Sequence, residues 1–170
     1  MCLARERRVI RQKRLMSQYN SHLISFTLNI PGEVKDNEFY RKIFMEGIIS
    51  ASNYLYRNKI MIKKIEYHYE ITGAEGYFIF DFEPKIVKKI MLEFEENHPL
   101  GRIFDFDVIY RDGIIISRLD FTSTSERKCY ICEKPAKICA RSQNHSIKEI
   151  LSKIEEMSNT FFNSQNTLLN

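Results

Sequence analysis

The sequence predicts a single α+β domain, a split βαβ-like sheet with helices on one face and a catalytic hairpin. The chain has 170 residues, the length of one ordinary domain, and its 44% hydrophobic residues can fill a core. Apolar residues alternate in some segments, which predicts strands, and recur every three or four positions in others, which predicts helices. The resulting order, strand-helix-strand-strand-helix-strand, is typical of split βαβ folds.

The predicted elements are separated by clear turn signals. The first strand, "HLISFTLNI", ends at "PG", and a helix with one apolar face follows over residues 40–55. The strands "IKKIEYHYEIT" and "GYFIFDF" precede a second helix over residues 84–97. The strand "RIFDFDVIY" then turns at Asp112-Gly113 into "IIISR", which predicts a hairpin.

The expected domain boundary lies near the C-terminus. We expect residues 1–157 to form one domain, with a Cys/His-rich segment at 128–146. Residues 158–170, "SNTFFNSQNTLLN", are mostly polar and are expected to form a flexible tail.

Composition and the N-terminal sequence predict a cytoplasmic protein without a membrane span. No apolar run reaches the roughly 20 residues that a membrane helix needs, and the basic N-terminus lacks the apolar part of a signal peptide. In a reducing compartment the four cysteines are thiols, metal ligands or catalytic groups before they are disulfides.

The formal net charge of +4 is unevenly distributed along the chain. A single acid, Glu6, stands among six basic residues near the N-terminus: Arg5, Arg7, Arg8, Arg11, Lys13 and Arg14. Such a cluster indicates an anionic partner, which from charge alone is a nucleic acid, a phosphorylated small molecule or an acidic protein surface. A merely solvated basic helix is the alternative.

Two carboxylates, Asp105 and Asp107, interrupt a run that otherwise has the pattern of a buried strand. Alternate residues of a strand share a face, so both carboxylates point the same way with Cβ atoms roughly 7 Å apart. They are therefore a candidate clamp for one divalent cation. The alternative is an edge strand whose charges discourage pairing with other chains.

Three cysteines and a histidine gather between residues 128 and 146. Cys129 and Cys132 form a CxxC knuckle, and Cys139 with His145 can complete a tetrahedral zinc site. The wide spacing of the second pair leaves reduced structural or substrate-contacting thiols as the alternative. If zinc binds, a closed site of four ligands shapes the chain and does not perform chemistry.

Four segments together resemble a known family. They are "ARERR" at Ala4–Arg8 with Gln12 after it, "LISFTLNIPG" with Lys35 after it, "HPLGRIFDFDV", and "RKCYICEKPAKICARSQNH". In this order, over nearly the whole chain, they are similar to the apo-citrate lyase phosphoribosyl-dephospho-CoA transferases, also called holo-citrate lyase acyl-carrier-protein synthases. The resemblance implies a nucleotidyltransferase-like enzyme.

The reaction that this resemblance implies is the attachment of a prosthetic group. A serine of the citrate lyase acyl carrier (gamma) subunit attacks triphosphoribosyl-dephospho-CoA and releases pyrophosphate. The resemblance makes Asp105 and Asp107 the catalytic pair and the ligands of Mg²⁺, with Asp120 as a third acid that can share the metal. It implies substrate contacts for six further residues: Gly101, Arg102, Arg5, Gln12, Lys35 and Arg118.

Two functions without catalysis compete with this interpretation. A zinc-knuckle module would dock its basic helix on nucleic acid, although carboxylates without a metal repel phosphates. An assembly chaperone would bind the carrier subunit without modifying it. We expect an enzyme whose partners are the carrier subunit and the activated precursor, and neither nucleic acid nor a membrane.

Overall fold

The four strands and the two helices between them follow one another in the predicted order, strand-helix-strand-strand-helix-strand. In the described residues, one further α-helix precedes them and two follow them. The computed structural model describes residues 2–121 and 126–167. The strands are β1 (His22–Leu28), β2 (Ile62–His68), β3 (Glu75–Phe80) and β4 (Phe104–Ile109). The helices are α1 (Cys2–Tyr19), α2 (Glu38–Arg57), α3 (Pro84–Asn97), α4 (Ala136–Ser142) and α5 (Ile147–Thr167). None of these described helices combines the length and the apolar composition that crossing a membrane requires.

The four strands form one open antiparallel sheet in the order β2-β3-β1-β4. The strand β1 lies between β3 and β4, which α3 connects, and β3 lies between β1 and β2, which α2 connects. Each helical connection therefore spans an intervening strand, as in split βαβ folds. The predicted α+β class is confirmed.

Helices cover both faces of the sheet, so the prediction of helices on one face was wrong. The larger core lies between the sheet and α2 and α3, where the ring of Phe26 stacks on Phe44 at 4.9 Å and on Phe106 at 4.2 Å between centroids. On the opposite face, Leu15 and Met16 of α1 pack in a second, smaller cluster. The sequence did not predict this contact, because the many basic residues of α1 indicated a solvated helix and only a few apolar residues indicated packing.

The predicted hairpin after β4 is reduced to a single bridge. Ile109 pairs with Ile115, and the N–H of Ile116 donates to the carbonyl of Val108 at 2.9 Å. The chain then leaves β4 because Ser117 caps a short 3-10 turn. The predicted turn at Asp112-Gly113 is confirmed, because the N–H of Tyr110 donates to the carbonyl of Ile114 at 2.9 Å, but "IIISR" pairs with β4 only briefly and does not form a full second strand.

The C-terminal segment continues α5 where the sequence predicted a tail from residue 158. The helix reaches Thr167, and Ser158 and Phe161 are buried within it. The ring of Phe161 lies 5.3 Å from that of His98, centroid to centroid. These contacts hold the end of α5 against the rest of the domain. The sequence did not predict them, because most residues of this segment are polar and only one face is buried. Residues 168–170 of the predicted tail lie outside the described residues.

Candidate active site

The two aspartates share one face of β4, as their spacing predicts, and both line one cavity. The neighbouring strand β1 places Thr27 opposite Asp105 and Ser25 opposite Asp107. The cavity has a volume of about 630 Å³, within the usual range for small-molecule sites. We call it the aspartate cavity. Its other walls come from residues 115–119, from the chain before the Cys/His-rich segment, and from α4.

β4 is an edge strand, and α3 protects the backbone at its centre. Glu95 accepts a hydrogen bond from the N–H of Phe106 at 3.0 Å, and Lys88 donates one to the carbonyl of Phe106 at 2.8 Å. Both charged side chains are buried. The centre of this edge is thus covered without Asp105 and Asp107, which weakens the alternative that they serve only to protect an exposed strand.

The two carboxylates have different surroundings. The side chain of Asp105 is 39% exposed and forms an ion pair with Arg127 at 2.9 Å. Burial raises the pKa of Asp107, and the charge of Asp105 raises it further, whereas Lys88 and Arg127 act against this rise. Two neighbouring negative charges in a partly buried site favour a bound cation between them. The residues present therefore fit a divalent metal ion with oxygen ligands.

Basic side chains outnumber acidic ones around the aspartate cavity. The basic lining residues are Lys88, Arg102, Arg118, Arg127 and Lys137, and the acidic ones are Asp105, Asp107 and Glu126. An excess of positive charge beside a carboxylate pair is suited to a polyanion that arrives with a metal ion. The sequence predictions included Arg102 and Arg118 in this group but missed the others.

Glu95 holds two of these arginines in place. Its Oε2 accepts a hydrogen bond from Arg118 and another from Arg127, the latter at 3.0 Å. Arg127 thus bridges Glu95 and Asp105. Lys88 and Glu95 lie on the same face of α3 as the buried Leu92. Charged residues on the buried face of an amphipathic helix were the one signal that could have identified them in the sequence.

Arg102 lies at the centre of this region with part of its guanidinium unsatisfied. Its guanidinium lies over the ring of Tyr130, 4.1 Å from the centroid, and its Nε donates to the carbonyl of Lys128 at 2.5 Å. Its Nη1 is buried and has no hydrogen-bond partner among the described residues. Burial also lowers the pKa of Arg102. An unsatisfied cationic donor beside a cavity fits an anionic ligand.

Gly101, predicted to approach the phosphates, has a packing role in the structure. A Cβ at this position would lie 2.0 Å from the carbonyl oxygen of Glu95. The N–H of Gly101 donates to the carbonyl of His98 at 2.8 Å, which closes the turn after α3. The close approach of the chain to α3 explains this glycine, and a contact with phosphate stays a prediction.

Replacing Gly101 with alanine separates these two roles. We expect the added methyl group to push the turn away from α3 and to lower the free energy of unfolding by about 1–3 kcal/mol. Chemical denaturation of Gly101→Ala beside the unmodified protein measures this loss. An unchanged free energy of unfolding with reduced activity would instead favour a direct role at the phosphates.

Half of the N-terminal basic residues form ion pairs with the sheet. Three arginines spaced three residues apart on α1 pair with acids of β2, β3 and the turn between them: Arg8 with Glu75, Arg11 with Glu70 and Glu75, and Arg14 with Glu66. Glu75 is buried and also accepts a hydrogen bond from Tyr77. This stripe fixes α1 on the sheet, so part of the cluster has a structural role that its charge alone did not indicate.

The other predicted substrate contacts lie outside the aspartate cavity. Arg5 is exposed on the first turns of α1, and Gln12 donates to the hydroxyl of Ser25, the residue opposite Asp107, at 3.1 Å. Lys35 donates to the carbonyl of Ile30 and lines a smaller cavity of about 170 Å³. The carboxylate of Asp120, the predicted third acid, caps the 3-10 turn by accepting from the N–H of Ser117 at 3.2 Å.

The predicted Cys/His cluster comes together in space. The ligand atoms of Cys129, Cys132, Cys139 and His145 all lie within 4.8 Å of one another. The sulfur of Cys132 is 3.4 Å from that of Cys139 and 3.3 Å from Nε2 of His145. Tetrahedral zinc with Zn–S bonds of about 2.3 Å separates its sulfurs by roughly 3.8 Å. The cluster can therefore hold a metal ion such as zinc with small adjustments.

Comparison with known proteins assigns the chain to a family. The model of the family described as CitX, apo-citrate lyase phosphoribosyl-dephospho-CoA transferase, matches residues 1–161. The apo-citrate lyase phosphoribosyl-dephospho-CoA transferase of Escherichia coli O7:K1 is 32% identical over 94% of this chain and 86% of its own length. A probable enzyme of the same name from Vibrio cholerae is 35% identical over 95% of this chain and 90% of its own length. Protein CitXG of Haemophilus influenzae is 37% identical over 91% of this chain, which spans 33% of that longer relative.

Proposed function

This chain belongs to the apo-citrate lyase phosphoribosyl-dephospho-CoA transferase family, and we propose that it attaches the phosphoribosyl-dephospho-CoA group to a serine of the citrate lyase acyl carrier subunit. The serine oxygen forms a bond to the phosphorus nearest the ribose of triphosphoribosyl-dephospho-CoA, and the bond from that phosphorus to the departing pyrophosphate breaks. The products are a phosphodiester on the carrier and free pyrophosphate. This is a nucleotidyltransferase-like reaction.

The observation that carries the proposal is the pairing of Asp105 and Asp107 in a cavity with five basic side chains. Carboxylates alone repel phosphates, whereas carboxylates with a metal ion and surrounding cations bind them. Mg²⁺ held by Asp105 and Asp107 would neutralise the phosphates and align them for attack.

The side chains of the cavity orient the substrate and accept the proton. Arg118 and Arg127, fixed by Glu95, present planar N–H donors to the phosphate oxygens. Because Arg127 already engages Asp105, we assign the serine proton to Asp107 as the new ester bond forms. Pyrophosphate then leaves with its charge balanced by the basic lining.

Release of pyrophosphate tests the overall reaction. We expect release only when the carrier protein and triphosphoribosyl-dephospho-CoA are both present. A carrier whose acceptor serine is replaced by alanine is the matched control and should give no release. Pyrophosphate formed at the same rate without carrier, or with the alanine carrier, would mean that the protein hydrolyses the precursor and transfers nothing.

We also propose that the Cys/His cluster binds one structural zinc ion. Four protein ligands fill a tetrahedral site and leave no position for substrate. The segment that carries the cluster also supplies the part of α4 that lines the aspartate cavity, Ala136, Lys137 and Ala140. Zinc would therefore support the shape of that wall without taking part in the transfer.

Arg5 provides a test of the basic cluster. It is exposed, whereas Arg8, Arg11 and Arg14 are engaged in ion pairs. We expect Arg5→Gln to raise the apparent KM for the carrier or the precursor several-fold at low salt, because exposed charges chiefly steer and hold anions. Lys13→Gln removes another exposed positive charge from the same helix and serves as the control. Equal KM values for the unmodified protein and Arg5→Gln at low salt would leave Arg5 as a solvated residue.

A further inference from the structure

A second cavity of about 730 Å³ adjoins the aspartate cavity. The two share four lining residues: Asn29, Arg102, Ala136 and Ala140. One long ligand can therefore occupy both, with its reacting end at the aspartates and the remainder in the second cavity.

The wall of the second cavity combines aliphatic side chains and neutral amides with Cys129, Cys139 and His145 of the Cys/His cluster. Pro31, Ile147 and Ile150 supply the apolar surface, and Asn29 and Gln143 supply amides. Of the two aromatic rings in this wall, that of Tyr130 is already covered on one face by the guanidinium of Arg102, and that of His145 lies 3.3 Å from the sulfur of Cys132 within the Cys/His cluster. Aliphatic walls with scattered amides are suited to a flexible chain of methyl, methylene and amide groups, more than to a planar base that needs an open ring to stack on.

Ile147 is a notable part of this wall because it is 54% exposed at the start of α5. Exposed apolar side chains are common, but this one lines a cavity that shares four lining residues with the proposed catalytic site. Arg102 lies where the two cavities meet, so a ligand that crosses the boundary would bring an anionic group beside a guanidinium.

We propose that the second cavity binds the pantetheine arm of the precursor, with the diphosphate of its dephospho-CoA moiety at Arg102. This inference rests on the proposed function, because it assumes that the triphosphate end lies at Asp105 and Asp107. The arm consists of the methyl, methylene and amide groups that the walls of the second cavity match, and the diphosphate joins it to the adenosine. The cavity would then distinguish the precursor from shorter nucleotides.

Kinetics with a shortened precursor test the role of the arm. The analogue keeps the triphosphoribosyl group and the adenosine but ends in a 5′-diphosphate, so that only the arm is missing. We expect the unmodified protein to show a KM at least about tenfold higher for the analogue, since several apolar groups lose their contact. Ile147→Ser should raise the KM for the full precursor several-fold and leave the KM for the analogue unchanged. Ile49→Ser is the matched control, because Ile49 is 53% exposed on α2 and lines neither cavity.

Direct binding separates this inference from the proposed function. In calorimetry, dephospho-CoA should bind more tightly than ADP, which lacks only the arm, and Ile147→Ser should reduce this difference while its thermal melt stays close to that of the unmodified protein. This result without any transfer activity would support the cavity and contradict the proposed reaction. Equal binding of the two nucleotides, or an equal effect of Ile147→Ser on both, would overturn the inference. If Ile147→Ser raised the KM for the carrier and left the KM for the precursor unchanged, the inference would also be overturned, and the cavity would instead be assigned to the carrier.

Discussion

Asp105→Asn and Asp107→Asn should each leave a folded protein that binds the carrier but transfers almost nothing. Asparagine keeps the size of the side chain and removes the charge that would hold a divalent cation against the triphosphate. We expect the loss to fall on kcat, by about 100-fold or more, because the interaction stabilises charge in the transition state. Transfer is measured with excess Mg²⁺, beside a thermal melt of each variant.

Asp81→Asn is the control for this prediction. Asp81 forms an exposed ion pair with Lys63 and lines neither the aspartate cavity nor the cavity beside it. Its replacement should leave transfer close to normal. Near-normal transfer in Asp105→Asn or Asp107→Asn, with increased aggregation, would contradict a catalytic role. It would favour the alternative that the two charges only prevent the edge strand from pairing with other chains.

Removal of zinc is expected to have the second large effect. Protein purified without chelator should contain one zinc per chain, and Cys132→Ser should abolish zinc binding, because Cys132 contacts both Cys139 and His145. Without the metal, the segment 126–146 should become sensitive to trypsin at Lys134 and Lys137, and transfer should fall. The sheet should remain folded, since its core consists mainly of residues outside this segment.

Cys2→Ser is the matched control, because it removes the one cysteine outside the cluster. We expect full zinc content and unchanged resistance to trypsin. Metal analysis measures the zinc content, limited proteolysis measures the trypsin sensitivity of the segment, and circular dichroism shows whether the sheet remains folded. Fully active protein without stoichiometric zinc would contradict the proposed role of the cluster and leave the four residues as reduced thiols and a linker histidine.

The features that the sequence predicted well depend on local patterns. The alternation around Asp105 and Asp107 fixed their common face, because side-chain direction in a strand follows from the backbone alone. The spacing of Cys129, Cys132, Cys139 and His145 indicated a shared site, and the structure brings their ligand atoms together. In both cases the chemistry of the residue types limited the possible interpretations.

The features that the sequence did not predict depend on contacts between distant segments. Arg8 and Arg11 pair with Glu75, more than sixty positions further along the chain, so the basic cluster appeared free in the sequence. Lys88 and Glu95 were hidden because their partner is the backbone of Phe106 in another element. The helical end of α5 was missed since its polar residues outnumber the few that are buried.

The intact mass of the carrier protein tests the proposed transfer most directly. After incubation with this protein, Mg²⁺ and triphosphoribosyl-dephospho-CoA, the carrier should gain the mass of one phosphoribosyl-dephospho-CoA group, and fragmentation should place it on a serine. Incubation with Asp107→Asn under the same conditions should leave the mass unchanged. A carrier that gains no mass with the unmodified protein, or gains it equally with Asp107→Asn, would contradict a transfer carried out at the aspartate pair.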